Sequence, residues 1–369
     1  MHLGIRNERS DRESRVAATP ASVASFVELG FTVSIEAGSG AAAGYPDAEY
    51  ADSGATVVDD LASGEPVDLL IMVTPPTEPD RTVLASNGVI VGMIDPSSTK
   101  DMLTGWGNEG ITSISIEMLP RTTLAQSMDA LSSQATAAGY AAVLLGVTEL
   151  PKFMPMLVTA AGTIPPANVL ILGVGVAGLQ AIATAKRLGA IVYAYDIRPE
   201  TKEQVESLGG RFIEAATQEM DEGGYARAVD EETAAKQREA LASAVADADL
   251  IITTAQVPGR QAPRLIDRSM VEAMRPGSLI IDMAASSGGN VEDSAPDEVV
   301  DVGGVTILGP TDLASRVATD ASRMFARNVL ELVKRMVADG SLVVDHEDPV
   351  VGPAIVAPIS PSQESEPVT

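Results

Sequence analysis

The sequence predicts an α/β protein made of two Rossmann-like, doubly wound parallel-sheet domains joined by long helices, with a cleft between them. Three observations lead there. Short β-branched runs alternate with helical spans along most of the chain. Hydrophobic residues make up 45% of the chain and aromatic residues only 3%, the Ala/Val/Ile/Leu-rich packing of parallel sheets covered on both faces. An apolar run also enters a Gly-x-Gly-x-x-Gly turn that opens a helix.

In the first third, a helix over Pro20–Leu29 leads to a strand at Thr32–Ile35. The runs Asp68–Val73, Val89–Ile94 and Ile111–Ile116 are short, β-branched and bounded by Gly, Pro or Asp. From Leu119 to Glu149 no proline follows Pro120, and Ala, Leu, Met, Ser and Gln dominate. That composition predicts one long connecting helix. A second series begins at Asn168, with strands expected at Val169–Leu172, Ile191–Tyr195, Leu250–Thr254, Ser278–Asp282 and Val305–Leu308. A polar, acidic insertion over Glu214–Lys236, carrying Gly223-Gly224, has the composition of a mobile lid. A helix at Ala314–Val337 is expected to return to the first domain, and the Pro/Ser/Glu-rich tail, 348–369, to be partly disordered. The expected division is 1–131 plus 323–369 for the first domain and 132–322 for the second.

Composition narrows the chemistry. There is no cysteine, and the two histidines, His2 and His346, stand near the ends, so thiolate and histidine metal sites are excluded and no metal is expected. The formal charge is −26, with 6 lysines against 19 arginines. Such an acidic surface disfavours nucleic acid and anionic lipid, and its poverty in lysine suggests adaptation to high salt. The start, Met1–Ser14, lacks the apolar core of a signal peptide. No stretch is expected to reach the ~18–20 apolar residues of a spanning helix. The best candidate, Phe153–Leu172, is broken by Gly162 and Pro165-Pro166, so a soluble chain without direct membrane insertion is expected.

The turn Gly173-Val-Gly-Val-Ala-Gly178 carries the functional signal. Gly173 permits the tight turn, Gly175 lets backbone approach a pyrophosphate, and Gly178 lets helix and strand pack closely. Val176 and Ala177 place their N–H groups at the positive end of the following helix. Asp196 ends the next strand, 18 residues after Gly178, where a carboxylate accepts hydrogen bonds from adenosine ribose hydroxyls and repels a 2′-phosphate. The reading is NAD(H) rather than NADP(H). Ile197 flanks that carboxylate, and Arg198 stands two residues on as a possible dissent.

Beyond the turn, Met118–Gln134, Thr159–Pro166, Gly173–Gly189, Thr201–Gly210, Gly277–Gly289 and Ser315–Ser322 resemble proton-translocating NAD(P) transhydrogenases, specifically the soluble NAD(H)-binding alpha-1 component. Arg15-Val-Ala-Ala-Thr-Pro20 resembles the N-terminal signature shared with alanine dehydrogenase. The resemblance implies hydride transfer from NADH on this chain to NADP⁺ on a separate NADP(H)-binding subunit. It also implies a membrane-spanning proton-channel subunit, a homodimer helped by Leu124–Glu149, and a cytoplasmic position peripheral to the inner face of the plasma membrane. Nicotinamide-site roles carry over to Arg121, Gln126, Asp129 and Ser132, and nucleotide contacts to Thr254, Ala255, Gln256 and Pro258. Tyr225, in Gly223-Gly-Tyr-Ala226, matches the family's loop over the nucleotide. A helix begun near Leu124 would put Asp129 and Ser132 on one face, with Asp129 fixing the Arg121 guanidinium.

Two other readings compete. An alanine dehydrogenase must move protons and polarise a carbonyl. The lysine, histidine and aspartate with which that resemblance would supply this chemistry are missing from Met72–Pro76, Val89–Pro96 and the position of Ser286. A catalytically silent NAD-sensing module is the other. The first domain, and Ser286-Ser287, depart most from the transhydrogenase pattern.

Overall fold

The computed structural model describes residues 1–214, 231–256 and 260–357, with backbone alone at 231–238 and 357. The chain forms two compact units, Met1–Gln134 with the chain from Ala314 onward, and Ala135–Leu313.

In the first unit, β1 (His2–Ile5), α1 (Pro20–Glu28), β2 (Thr32–Glu36), α2 (Asp47–Asp52), β3 (Ala55–Val58), β4 (Val67–Met72), β5 (Leu84–Gly92), α3 (Pro96–Asn108) and β6 (Thr112–Ser115) follow in order. Helix α4 (Ala130–Glu149) carries the chain into the second unit. There β7 (Leu157–Thr159) and β8 (Gly162–Ile164) form a small hairpin. Then come β9 (Asn168–Leu172), α5 (Val176–Arg187), β10 (Ile191–Tyr195), α6 (Thr201–Ser207), β11 (Arg211–Phe212), α7 (Glu231–Asp247), β12 (Leu250–Thr253), α8 (Arg268–Glu272), β13 (Leu279–Asp282), β14 (Val299–Val302) and β15 (Val305–Leu308). The return consists of α9 (Ala318–Arg335), the hairpin β16 (Val337–Ala338) and β17 (Ser341–Leu342), and β18 (Ile355–Ala357).

Each unit holds a seven-stranded, mainly parallel sheet, in the orders β18-β6-β5-β4-β1-β2-β3 and β11-β10-β9-β12-β13-β15-β14. β18 and β14 are antiparallel edge strands. Central strands such as β9 and β12 are apolar and buried on both faces, because helices cover both sides of a parallel sheet. In both sheets the strand order reverses beside the first strand, between β1 and β4 and between β9 and β12. Loops leaving the carboxyl ends of these strands border the crevice where such folds take ligands.

Several expectations are corrected. The long helix starts at Ala130, and residues 119–129 form turns and a short 3₁₀ segment, Gln126–Met128. Polar Thr122, Thr123 and Ser127 favour turns over helix interior. That helix is also 20 residues long, with a mean hydropathy of 1.3 over its most apolar 18 residues, so a segment of spanning length and composition does exist. One face of it packs into the second unit, Gly146 lying against Leu250 and Ile281. The insertion's last residues, from Glu231, are helical. Apart from these corrections, the described part of the tail, 348–357, is built into the fold, which leaves the expectation of a partly disordered 348–369 untested. Asp348 accepts from the N–H of Val350 (2.8 Å) and of Val351 (2.9 Å), and β18 pairs with β6. Residues 358–369 lie outside the described residues.

Candidate functional site

The dinucleotide turn sits at the switch point of the second sheet. Gly173 has φ +93°, a left-handed conformation that disfavours any side chain. A Cβ on Gly178 would stand 2.0 Å from the Gly173 carbonyl oxygen, so strand and helix approach only because that atom is missing. Gly175 differs. It caps α5, and a Cβ there would meet nothing within 4 Å, leaving open space over the helix N-terminus. Such space beside unpaired N–H groups fits a pyrophosphate. Val176 is exposed and Ala177 half-buried at that end.

Two neighbours brace the turn. Thr254 Oγ1 donates to the Gly173 carbonyl at 2.9 Å. A Cβ on Gly139 would lie 2.2 Å from the Ala177 carbonyl oxygen, so α4 presses against the first turn of α5. Next to Thr254, Ala255 is held by Asn290, which accepts its N–H at 3.1 Å and donates to its carbonyl at 2.8 Å. Asn290 also donates to the Pro263 carbonyl at 2.8 Å. Its own N–H is bound by buried Asp282 at 2.9 Å, and Asp282 further accepts from Thr253 Oγ1 (2.8 Å). Gln256 donates to the Met283 carbonyl at 2.8 Å. Pro258 and Tyr225 lie outside the described residues. Sequence reasoning missed Gly139, Asp282 and Asn290. The pair Gly288-Gly289 just before Asn290 was the available signal, a glycine turn that aims the following side chain.

Asp196 directly follows β10, and all its acceptor positions are used. Oδ2 accepts the Val174 N–H (2.7 Å) and Arg198 Nη2 (2.9 Å). Oδ1 accepts the Arg198 N–H (2.9 Å) and Arg198 Nε (3.0 Å). Burial pushes the Asp196 pKa up, but the hydrogen bonds from Arg198 and Val174 outweigh it and hold the carboxyl below its ordinary range. Ile197 is exposed beside it.

In the first unit, Arg121 and Gln126 are exposed, on the loop and 3₁₀ segment before α4. Asp129 caps the helix. Its Oδ1 accepts the Ser132 N–H at 2.9 Å and its Oδ2 accepts Ser132 Oγ at 2.6 Å. The expected Arg121–Asp129 pair is not made; the carboxylate serves as the helix cap, and Arg121 is exposed. Asn328 on α9 donates to the Ser127 carbonyl (2.8 Å) and accepts from Ser133 Oγ (2.7 Å). Gln134 accepts from Arg15 Nη1 (2.8 Å) and donates to the Ala321 carbonyl (3.1 Å). Arg15 is also paired with Glu13 at 2.6 Å. Upstream, Glu117 accepts the Asp95 N–H (2.9 Å) and Ser115 Oγ (3.1 Å), holding Asp95 at φ +43°. Burial raises the Glu117 pKa.

The first sheet's own crevice is filled by polar side chains. Buried Arg6 pairs with buried Asp80 and with Glu8, and donates to Thr74 Oγ1 at 2.9 Å. Glu8 accepts the N–H groups of Val73 (2.7 Å) and Thr74 (3.0 Å), as well as the Thr74 hydroxyl. Ser286, at the other position in question, is exposed.

Two doubly wound sheets, with a braced glycine turn at the switch point of the second, define a two-domain α/β protein of the dinucleotide-binding class. The N-terminal domain of "Alanine dehydrogenase/PNT" matches residues 4–138, and its C-terminal domain matches residues 142–358. The chain is 45% identical to an NAD(P) transhydrogenase subunit alpha chain of Rhodospirillum rubrum, over 90% of this chain and 89% of that one. It is 41% identical to the corresponding chain of Rickettsia prowazekii, over 94% and 92%. A solved transhydrogenase from Sinorhizobium meliloti superposes with a TM-score of 0.89 at 40% identity, covering 97% of this chain and 99% of that one. An L-alanine dehydrogenase structure gives 0.80 at 27%, covering 96% and 94%. The chain belongs to the alanine dehydrogenase/PNT family, among the NAD(P) transhydrogenase alpha subunits. Its relatives imply nicotinamide nucleotide binding.

Proposed function

We propose that this chain is the NAD(H)-binding subunit of an NAD(P) transhydrogenase, passing hydride from NADH to NADP⁺ held by a partner subunit, with a membrane-spanning subunit coupling the transfer to proton translocation. One contrast carries the reading. The dinucleotide turn is built and braced, whereas the positions at which an amino-acid dehydrogenase would place its proton-transfer groups hold Thr74, bonded to Glu8 and Arg6, and exposed Ser286.

Hydride passage between two nicotinamides moves no proton at the reacting carbons, so no general base is required. The protein's work is binding, orientation and exclusion of water. The N–H groups at the start of α5, beside Gly175, would hold the pyrophosphate, and Asp196 would hold the adenosine ribose. Thr254, Ala255 and Gln256 would line the next part of the dinucleotide path. Arg121 and Gln126, both exposed, would donate to a carboxamide or ribose, and Asp129 and Ser132 cap the helix that follows them. The bound dinucleotide supplies the hydride. A homodimer, held peripherally at the cytoplasmic face of the membrane by its partners, completes the proposal.

Reconstitution tests it. With an NADP(H)-binding partner subunit added, the chain should support NADH-dependent reduction of an NADP⁺ analogue. Alanine-dependent reduction of NAD⁺ by the chain alone would overturn the reading. Tight NADH binding without any transfer would favour a sensing module.

A further inference from the structure

The planar guanidinium of Arg198 lies on Asp196 as a two-donor fork, Nε on one carboxylate oxygen and Nη2 on the other, at 3.0 and 2.9 Å. Nη2 also reaches the Val174 carbonyl at 3.2 Å, inside the glycine turn. The other two acceptor positions of Asp196 are filled by backbone N–H groups of Val174 and Arg198. A carboxylate has about four lone-pair sites. A ribose cis-diol is also a two-donor fork, and it needs the same two sites that the guanidinium fills. The backbone bonds are fixed by the turn, so the side chain of Arg198, 40% exposed, is the group that yields.

We propose that Arg198 is a latch on the ribose-binding carboxylate and the residue that sets how strongly NADH is preferred over NADPH. The proposal rests on the NAD(H) reading of this site. When a ribose diol replaces the fork, Asp196 keeps its negative charge without its cation and repels a 2′-phosphate. When a 2′-phosphate arrives instead, the guanidinium stays nearby and offsets the repulsion. Arg198 therefore works against NADH by competition and in favour of NADPH by charge.

Two variants separate these effects. Arg198→Ala removes fork and charge, while Arg198→Lys keeps the charge without the planar fork. Calorimetric titration of the purified chain with NADH and with NADPH reads both, and thermal melting checks that each variant is folded. For Arg198→Ala, NADH should bind about twofold to fivefold tighter, the scale of a part-exposed ion pair. NADPH should bind about tenfold more weakly, the scale of one lost charge-assisted bond. Arg198→Lys should share the gain for NADH and keep the wild-type affinity for NADPH. Weaker NADH binding by Arg198→Ala would overturn the latch and make Arg198 a direct nucleotide contact. An unchanged NADH-to-NADPH ratio in both variants would also overturn it. If the wild-type chain binds neither nucleotide, the cofactor reading itself fails, a result distinct from either.

Discussion

The side-chain amide of Asn290 grips the backbone of Ala255 from both sides, accepting its N–H at 3.1 Å and donating to its carbonyl at 2.8 Å. This is the pairing a neighbouring strand would provide, applied to the one residue between Thr254 and Gln256. Asn290→Ala leaves both backbone groups unpaired, a loss of about 1–3 kcal/mol. It should lower the melting temperature and weaken NADH binding together. A lowered melting temperature with unchanged NADH affinity would show that Asn290 serves the fold alone.

Gly175 and Gly178 stand three residues apart and should fail in opposite ways. A Cβ at Gly175 meets open space, so Gly175→Ala should keep the wild-type melting temperature and lose NADH affinity at least tenfold, because the methyl occupies the phosphate's approach. A Cβ at Gly178 meets the Gly173 carbonyl at 2.0 Å, so Gly178→Ala should destabilise by about 1–3 kcal/mol through overpacking. Equal loss of stability in the two variants would contradict this division.

Asp129 and Arg121 should separate in the same manner. Asp129→Ala removes the cap of α4 and should cost about 1 kcal/mol of stability, read by denaturant unfolding. Arg121→Ala touches an exposed side chain outside that cap, so it should unfold like wild type while transfer to NADP⁺ in the reconstituted system falls at least tenfold. Full transfer by Arg121→Ala would remove Arg121 from the nicotinamide site.

Glu117 gives a pH dependence with a definite sign. Its folded pKa is raised by burial, so the folded protein binds the proton more tightly than the unfolded chain does. Stability from this group is therefore present below the ordinary value of 4.5 and declines as pH rises through the raised one. Glu117→Gln keeps an acceptor for the Asp95 N–H and removes the buried charge. Melting curves above pH 4.5 should show the variant at least as stable as wild type, with a flatter profile. A less stable variant at neutral pH would mean that the charge itself anchors Asp95.

The strands of the second sheet are legible because buried parallel strands are written as β-branched runs. Ile191–Tyr195 falls on the residues expected, and so does the acid that follows it. The start of α4 is not legible. Residues 119–129 have no proline after Pro120, and only the contact between Asp129 and Ser132 shows that the helix begins with a cap. The described part of the tail, 348–357, owes its order to contacts rather than to composition. The tail's proline and serine suggest disorder, yet Asp348, held near a pKa of about 2 by the Arg335 side chain and its backbone bonds, ties the segment to α9. Gly139 and Asn290 act through partners far away in sequence, Ala177 and Ala255, so nothing local announces Gly139, and the Gly288-Gly289 turn marks Asn290 without naming its partner. The spacing after the glycine turn reaches Asp196, but only geometry shows that Arg198 already fills its acceptor sites.

On the proposed function this chain binds NAD(H) in preference to NADP(H). That preference is tested most directly by titrating the isolated wild-type chain with NADH and with NADPH by calorimetry, at the high salt its −26 charge suggests. Saturable NADH binding, at least tenfold tighter than NADPH binding, is expected. Tighter binding of NADPH, or none of NADH, would contradict it.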